Sequence, residues 1–213
     1  MAKKEKKITE DMVIYNSNGG VLAEYPSELL NVIKNTVAKG SSDEELYMFL
    51  QVASMYNLNP FMKEIWFVKN KDGSVMIMTS RDGYLKIAKQ DPKFHKCQSM
   101  AVYENDEFQV EMTMGEVTNI SHKFKQSERG KLIGAYAILK TKDHNNLISY
   151  MAYKEYAKGT PVWRTYPSAR IRKVAENDVL KRFANINGLS TVEDATEDVQ
   201  RASKDFIEVN YNG

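Results

Sequence analysis

Ile65-Trp66-Phe67-Val68-Lys69-Asn70-Lys71-Asp72-Gly73-Ser74-Val75-Met76-Ile77-Met78 reads as a β-hairpin. Two β-prone runs flank a polar turn whose Asp-Gly step supplies the backbone freedom a tight reversal needs. Upstream, the pattern is helical. Pro26 suits the first turn of a helix, where a missing N–H costs nothing, and Leu29, Leu30, Ile33, Thr36 and Val37 follow at helical spacing up to Gly40. Ser42 with Glu45 three residues later is a capping box. Leu46, Phe49, Leu50 and Ala53 form the apolar stripe of a second helix, which Asn57-Leu58-Asn59-Pro60 ends. The spacing therefore predicts a helical hairpin packed beside a β-hairpin.

Downstream, a short helix is expected from about Ser80 to Gln90, stopped by Asp91-Pro92. Strands are expected near Gln98–Tyr103, Phe108–Met114, Ser121–Lys125, Leu132–Thr141 and Leu147–Ala152, the last two as a second hairpin. Ser168–Ala184 then runs without Gly or Pro. At 3.6 residues per turn, Ile171, Val174, Ala175, Val179 and Phe183 share one face, and Arg170, Lys173, Asn177 and Lys181 share the opposite one. Arg172 and Arg182 flank the apolar side, where long stems can lie on apolar surface. The fold class is α+β: an N-terminal helical hairpin, a small antiparallel sheet of hairpins, and a long basic helix after the sheet. Residues 1–25 are expected to be a flexible arm or short hairpin, 26–189 a core domain, and 190–213 an acidic tail with one short helix near Thr191.

Composition narrows the function. The 213 residues, 42% hydrophobic and 27% charged, are ordinary for a globular chain that buries a core. Cys97 is the single cysteine, so no disulfide framework or cysteine-rich zinc site can form. The longest nearly apolar run, the eight residues Leu132 to Leu139, is far short of a membrane span, and no signal-peptide apolar segment follows the lysine-rich start. These features lead to the expectation of a cytoplasmic protein with no membrane partner. The net charge of +2 conceals an asymmetry: residues 1–122 carry 14 basic and 17 acidic groups, residues 123–182 carry 14 and 5, and residues 183–213 carry 2 and 6. A basic block of net +9 thus stands between two acidic segments. Concentrated positive charge attracts phosphate-rich partners whatever the total.

Enzymatic chemistry has little support. His95, His122 and His144 have no partners at metal-ligand spacing, and a satisfied or solvent-facing ring is the simpler reading for each. The chain contains no phosphate-cradling P-loop and no G-x-S-x-G nucleophile motif. Glu64, Asp82 and Glu111 can be imagined as a nuclease metal cluster, but scattered carboxylates in a chain with 28 acidic residues are weak grounds for one. No metal, cofactor or catalytic residue is therefore expected. The basic block, by contrast, interleaves aromatic residues, among them Phe124, Tyr136, Tyr150, Tyr153, Tyr156, Trp163 and Tyr166. Cations that track a backbone, with rings on which bases stack, are what single-stranded DNA needs. Tyr136, Tyr150 and Phe183 fit a core pattern. Trp163, between Pro161 and Arg164, divides evenly between the core and a binding groove.

Three stretches carry a family resemblance: Tyr56-Asn57-Leu58-Asn59-Pro60-Phe61-Met62-Lys63-Glu64-Ile65, Arg81-Asp82-Gly83-Tyr84, and Trp163-Arg164-Thr165-Tyr166-Pro167 followed by Gly188-Leu189. In this order and at these spacings, the chain resembles the RecT/Bet group of phage single-strand annealing proteins, nearest its Redβ-like branch, over about residues 27–195. The resemblance implies an ATP-independent recombination protein with a Rad52-like annealing core. Such a protein binds single-stranded DNA, pairs it with a complementary strand, and holds the annealed duplex in a homo-oligomeric ring or helical filament. A phage exonuclease and the host single-strand-binding protein are its implied partners. Lys39 and Lys71 match lysines of the family that contact DNA, and Lys181 retains a basic position near the helix end. Departures occur at Ser168-Ala169 and Val174, where Redβ-like relatives are basic, and Arg170, Arg172 and Lys173 are expected to supply that charge from adjacent positions. The expected DNA-binding set is Lys39, Lys71, Trp163, Arg164, Arg170, Arg172, Lys173, Lys181 and Arg182. A single-stranded DNA-binding protein that does not anneal would have the same composition, and a metal-dependent nuclease is the more distant alternative.

Overall fold

The computed structural model describes residues 7–70, 72–157, 159, 161–186 and 189–191. It is a mixed α+β protein of two compact units, Met1–Gly83 with Leu189–Gly213, and Tyr84–Gly188. Lys71 and the tail from residue 192 onward, with most of the short helix expected near Thr191, lie outside the described residues.

In the first unit, β1 (Met12–Tyr15) and β2 (Val21–Tyr25) form an antiparallel hairpin. Asn16 closes it: its side-chain oxygen accepts the N–H groups of Asn18 and Gly20 at 3.0 and 2.9 Å, and Gly19 takes the left-handed conformation, φ 78°. Helix α1 (Ser27–Asn35) follows Pro26 and buries Leu30 and Ile33. It ends earlier than the apolar periodicity suggests, with Thr36 as its C-cap. Helix α2 (Asp43–Met55) begins at the capping box of Ser42 and Glu45 and buries Leu46, Phe49, Leu50 and Ala53. Glu45 also accepts from Lys69 Nζ at 2.7 Å, tying the start of α2 to the end of β3 (Ile65–Lys69). β3 pairs with β4 (Val75–Thr79) in the antiparallel register Ile65↔Thr79 to Lys69↔Val75 that the Asp-Gly turn requires. The short parallel strand β10 (Ser190–Thr191) completes this sheet on the far side of β4.

The motif around Asn59 has a structural role in this unit. Asn59 caps the 3-10 turn Pro60–Met62, its side-chain oxygen accepting from Phe61 N at 2.9 Å. Glu64 in turn accepts the Asn59 N–H at 2.7 Å, and Lys63 between them is left-handed, φ 57°. Gly83 is a second fixed point, because a Cβ there would overlap the Glu64 carbonyl oxygen and stand 2.7 Å from Thr79 Cγ2. Of the three carboxylates considered for a nuclease, Glu64 is thus spent on a backbone amide, and Asp82 pairs with Arg81 at 2.8 Å. Among the described residues, no three His, Cys, Asp or Glu side chains lie together as a metal site.

The second unit contains most of α3 (Arg81–Gln90) and a three-stranded antiparallel sheet in the order β5 (Phe94–Tyr103), β8 (Leu132–Thr141), β9 (Leu147–Ala152). β6 (Glu107–Thr113) and β7 (Glu116–Lys123) form a separate hairpin inserted between β5 and β8. β5 begins four residues earlier than its apolar pattern suggested, because Phe94 and Lys96 pair with Thr141 and Lys140 at the polar end of β8, with a register shift at His95. Two short helices, α4 (Tyr153–Tyr156) and α5 (Pro161–Thr165), lead to the long helix α6 (Pro167–Ala184), which has Pro167 in its first turn and left-handed Asn185 (φ 46°) as its C-cap. α6 packs on one face of the sheet, where Ala135 meets Trp163, Ile171 and Val174. The small side chain of Ala135 leaves room for the indole. On the opposite face, Gly134 makes way for Tyr150, whose hydroxyl would lie 2.6 Å from any Cβ at that position. Among the described residues, no helix is long and apolar enough to cross a membrane.

Candidate nucleic-acid interface

The basic residues of the sequence divide between the two units. Lys39 is exposed in the turn after α1. Trp163, Arg164, Arg170, Arg172, Lys173, Lys181 and Arg182 lie in α5 and α6 of the second unit. Within that unit they are far from equivalent.

Trp163 belongs to the core. It is 2% exposed, packed on Ala135, Ile171 and Val174, with Tyr153 at 6.1 Å between ring centroids. Its place between Pro161 and Arg164 divides it in the sequence between the core and a groove, and a short helix beginning at Pro161 sets the indole among Ala135, Ile171 and Val174. The buried ring cannot act as a stacking surface for bases. Its role is mechanical: it anchors α5 and thereby holds the adjoining Arg164 in solvent.

The polar face read from the helical wheel is also corrected. Asn177, expected beside Arg170, Lys173 and Lys181 in solvent, is buried at 3% exposure, and Arg170 and Lys181 are half-buried. Glu176 is buried as well, accepting a hydrogen bond from the Ser99 hydroxyl. α6 is covered on more than its sheet-facing side: Lys181 Nζ lies 5.6 Å from the ring centroid of Tyr84, itself fully buried.

Four cations remain exposed, Arg164, Arg172, Lys173 and Arg182. Arg172 donates through Nε to Ser99 Oγ at 3.1 Å, which fixes its stem while the residue remains exposed. Arg182 pairs with Asp178 one turn earlier, at 3.0 Å, and donates to the Ile148 carbonyl at 2.9 Å, so much of its charge is already satisfied. Arg164 and Lys173 have no ion-pair partner among the described residues. They are the two exposed cations of this helical region most available to a phosphate. No acidic side chain occupies the first turn of α6, so the positive end of its dipole adds to the field there.

A second polar cluster, unrecognised in the sequence, organises the opposite face of the sheet. Asp106, whose side chain is fully buried, accepts from Arg129 Nε and Nη2 at 2.9 and 2.7 Å and from the Tyr103 N–H at 2.8 Å. These donors, Arg129 first, hold its carboxyl well below the usual carboxylate range. His122 Nε2 lies 2.9 Å from the same carboxylate. An ionised carboxylate only accepts, so Nε2 carries a proton, and in the neutral ring Nδ1 accepts from Tyr136 at 3.3 Å. The Arg129 guanidinium sits 3.8 Å from the Phe124 ring centroid and 4.3 Å from that of Tyr103. Phe108 stacks on Tyr136 at 5.8 Å and tilts against Tyr150 at 5.3 Å. His122, Tyr136 and Tyr150 are therefore structural groups that hold the β6–β7 hairpin against the sheet. Burial raises the phenol pKa values of Tyr136 and Tyr150. Arg129 contributes one of the 14 basic groups of the positive block, but its charge is spent on Asp106.

The RecT family model matches residues 23–206, taking in the β3–β4 hairpin of the first unit and the whole of α6. A stretch of 70 residues is 33% identical to the "Recombination protein bet" of Escherichia phage lambda, covering 32% of this chain and 27% of that protein. The chain thus matches little more than a quarter of that relative's length.

Proposed function

Because the chain belongs to the RecT family, we propose that it is a phage recombination protein that binds single-stranded DNA and anneals complementary strands without ATP. The observation that carries this reading is the family match across residues 23–206, which spans the exposed cations of α5 and α6. Annealing is downhill; its barrier is the search for register and the mutual repulsion of two polyanions. Exposed Arg164, Arg172 and Lys173 neutralise phosphates of a first strand, with Lys39, Lys71, Arg170, Lys181 and Arg182 as further contributors. Contacts of lysine and arginine with phosphate carry no sequence information, which suits a general annealer. Bases left unread by the protein stay available to a second strand.

Each protomer would cover only a few nucleotides, so assembly along the strand, as a ring or helical filament, multiplies weak contacts into stable binding. A head-to-tail contact between the acidic and basic segments of neighbouring protomers would generate such an assembly. A Rad52-like annealing core, and work beside a phage exonuclease and a host single-strand-binding protein, complete the reading. It is tested by mixing complementary oligonucleotides with the full chain in the absence of ATP and following duplex formation, with electron microscopy of the product. Accelerated pairing on ordered assemblies is expected. Protection of the strands without faster pairing would reassign the protein as a simple single-strand binder.

A further inference from the structure

The sheet of the second unit carries an unbalanced cluster of positive charge away from α6. Lys96 and Lys140 are direct cross-strand partners in the β5–β8 pair. Their neighbours Cys97 and Leu139 also pair, and side chains alternate along a strand, so Lys96 and Lys140 share the face turned away from the helix. Like charges placed directly opposite one another are destabilising in a sheet. Lys142 follows at the end of β8, where its N–H donates to the Lys93 carbonyl at 2.8 Å and brings the two strand ends together.

These three lysines line a cavity of about 440 Å³ with His95, His144 and Asn146. No carboxylate is among the lining residues. The adjacent acid, Asp143, faces Lys93 at 3.5 Å. His144 lines the cavity from a left-handed backbone, φ 61°, a region that is uncommon outside Gly and in which His is enriched. Another cavity of this unit makes the contrast: Glu107 and Glu128 line it along with Lys123 and Lys125, and its charge is balanced.

We propose that Lys96, Lys140 and Lys142, with the imidazoles of His95 and His144, form a second phosphate-binding site, and that its phosphates are those of a nucleic-acid backbone. The choice of backbone over a free oligophosphate rests on the annealing reading. It is favoured by what lies further along the same face. Gln98, Ile138 and Ile148 come next in register, followed by Met100, and Gln98 and Met100 are exposed. Met100 is four residues from Lys96, about 13 Å along the strand. A strand anchored at the lysines would therefore meet apolar side chains before it reaches the β6–β7 hairpin that covers Tyr136.

The test uses the full chain and the variant Lys96→Gln/Lys140→Gln/Lys142→Gln, with Lys142→Gln alone as a milder form should the triple variant fold poorly. Inorganic pyrophosphate is titrated while the three histidine imidazoles are followed by NMR. His95 and His144 are expected to shift saturably while His122, tied to Asp106, stays put, and the triple variant is expected to lose the response. Unmoved His95 and His144 in the unaltered chain would overturn the site. The salt dependence of single-stranded DNA binding then identifies the source. The slope of log affinity against log salt should fall by about 2 in the triple variant, at about 0.7 per lost contact. An unchanged slope alongside an intact pyrophosphate response would overturn the assignment to a nucleic-acid backbone. If the unaltered chain fails to bind DNA at all, the annealing reading falls, and the pyrophosphate titration still decides whether the site exists.

Discussion

Removing Arg164 and Lys173 together should change the salt dependence of DNA binding by an amount the structure allows to be estimated. Both side chains are exposed and have no ion-pair partner among the described residues. Their charges are thus available to phosphates at full strength, one contact each. For a single strand, each contact contributes about 0.7 to the slope of log affinity against log salt, so Arg164→Ala/Lys173→Ala should lower the slope by about 1.4. Between about 50 and about 200 mM salt, the gap in affinity between the unaltered chain and the double variant should then narrow about sevenfold. Arg182→Ala serves as the internal comparison. Its guanidinium already pairs with Asp178 and donates to Ile148, so its removal should change the slope by much less than one contact. Fluorescence anisotropy with a short unstructured oligonucleotide, at four or five salt concentrations, gives the slopes. An Arg182→Ala slope change equal to that of Lys173→Ala, or no change in the double variant, would refute this ranking of cations.

Three further outcomes follow from the packing. Asp106→Ala leaves Arg129 without its partner and should cost about 3–5 kcal/mol, the usual consequence of stranding one member of a buried pair. Urea denaturation should show it, and adding Arg129→Met should recover part of the loss. The lowered carboxyl pKa means this contribution is complete above the unfolded value of about 4 and declines as pH falls below it toward the folded value. The unaltered chain should therefore lose stability in acid more steeply than the Asp106→Ala variant. Trp163→Ala should destabilise by about 3–5 kcal/mol through the cavity it leaves, while Trp163→Phe retains DNA binding; a Trp163→Phe variant that is fully stable but defective for DNA would return the indole to the binding surface. Gly83→Ala should cost about 1–3 kcal/mol, because the new methyl meets the Glu64 carbonyl, and a neutral result in thermal denaturation would show that β3 and α3 are less tightly apposed than the structure has them.

The parts of the fold that could be read from the sequence are those set by local rules. The Ser42–Glu45 capping box, the Asp72-Gly73 turn and Pro167 at the start of α6 each act within a few residues, and each lies where the pattern placed it. Non-local features were harder to read. Trp163 has a polar, proline-flanked neighbourhood, and only the position of Ala135 on the sheet shows that a cavity receives the ring. Asn177 falls on the polar side of the wheel, yet it is buried because α6 is covered on more than one side. Asp106 lies in the short connection between β5 and β6, but its partner Arg129 lies 23 residues away. The Lys96–Lys140 opposition depends on a register shift near His95 that no periodicity reveals. The family motifs around Asn59 and Gly83 are also clarified: their residues build turns and permit close packing.

The rate of pairing between two complementary oligonucleotides, measured with the full chain and no nucleotide cofactor, tests the central claim most directly. The account predicts pairing well above the spontaneous rate, insensitive to added ATP, suppressed by high salt, and slowed in Arg164→Ala/Lys173→Ala. Tight binding of each strand with pairing no faster than in buffer would contradict it.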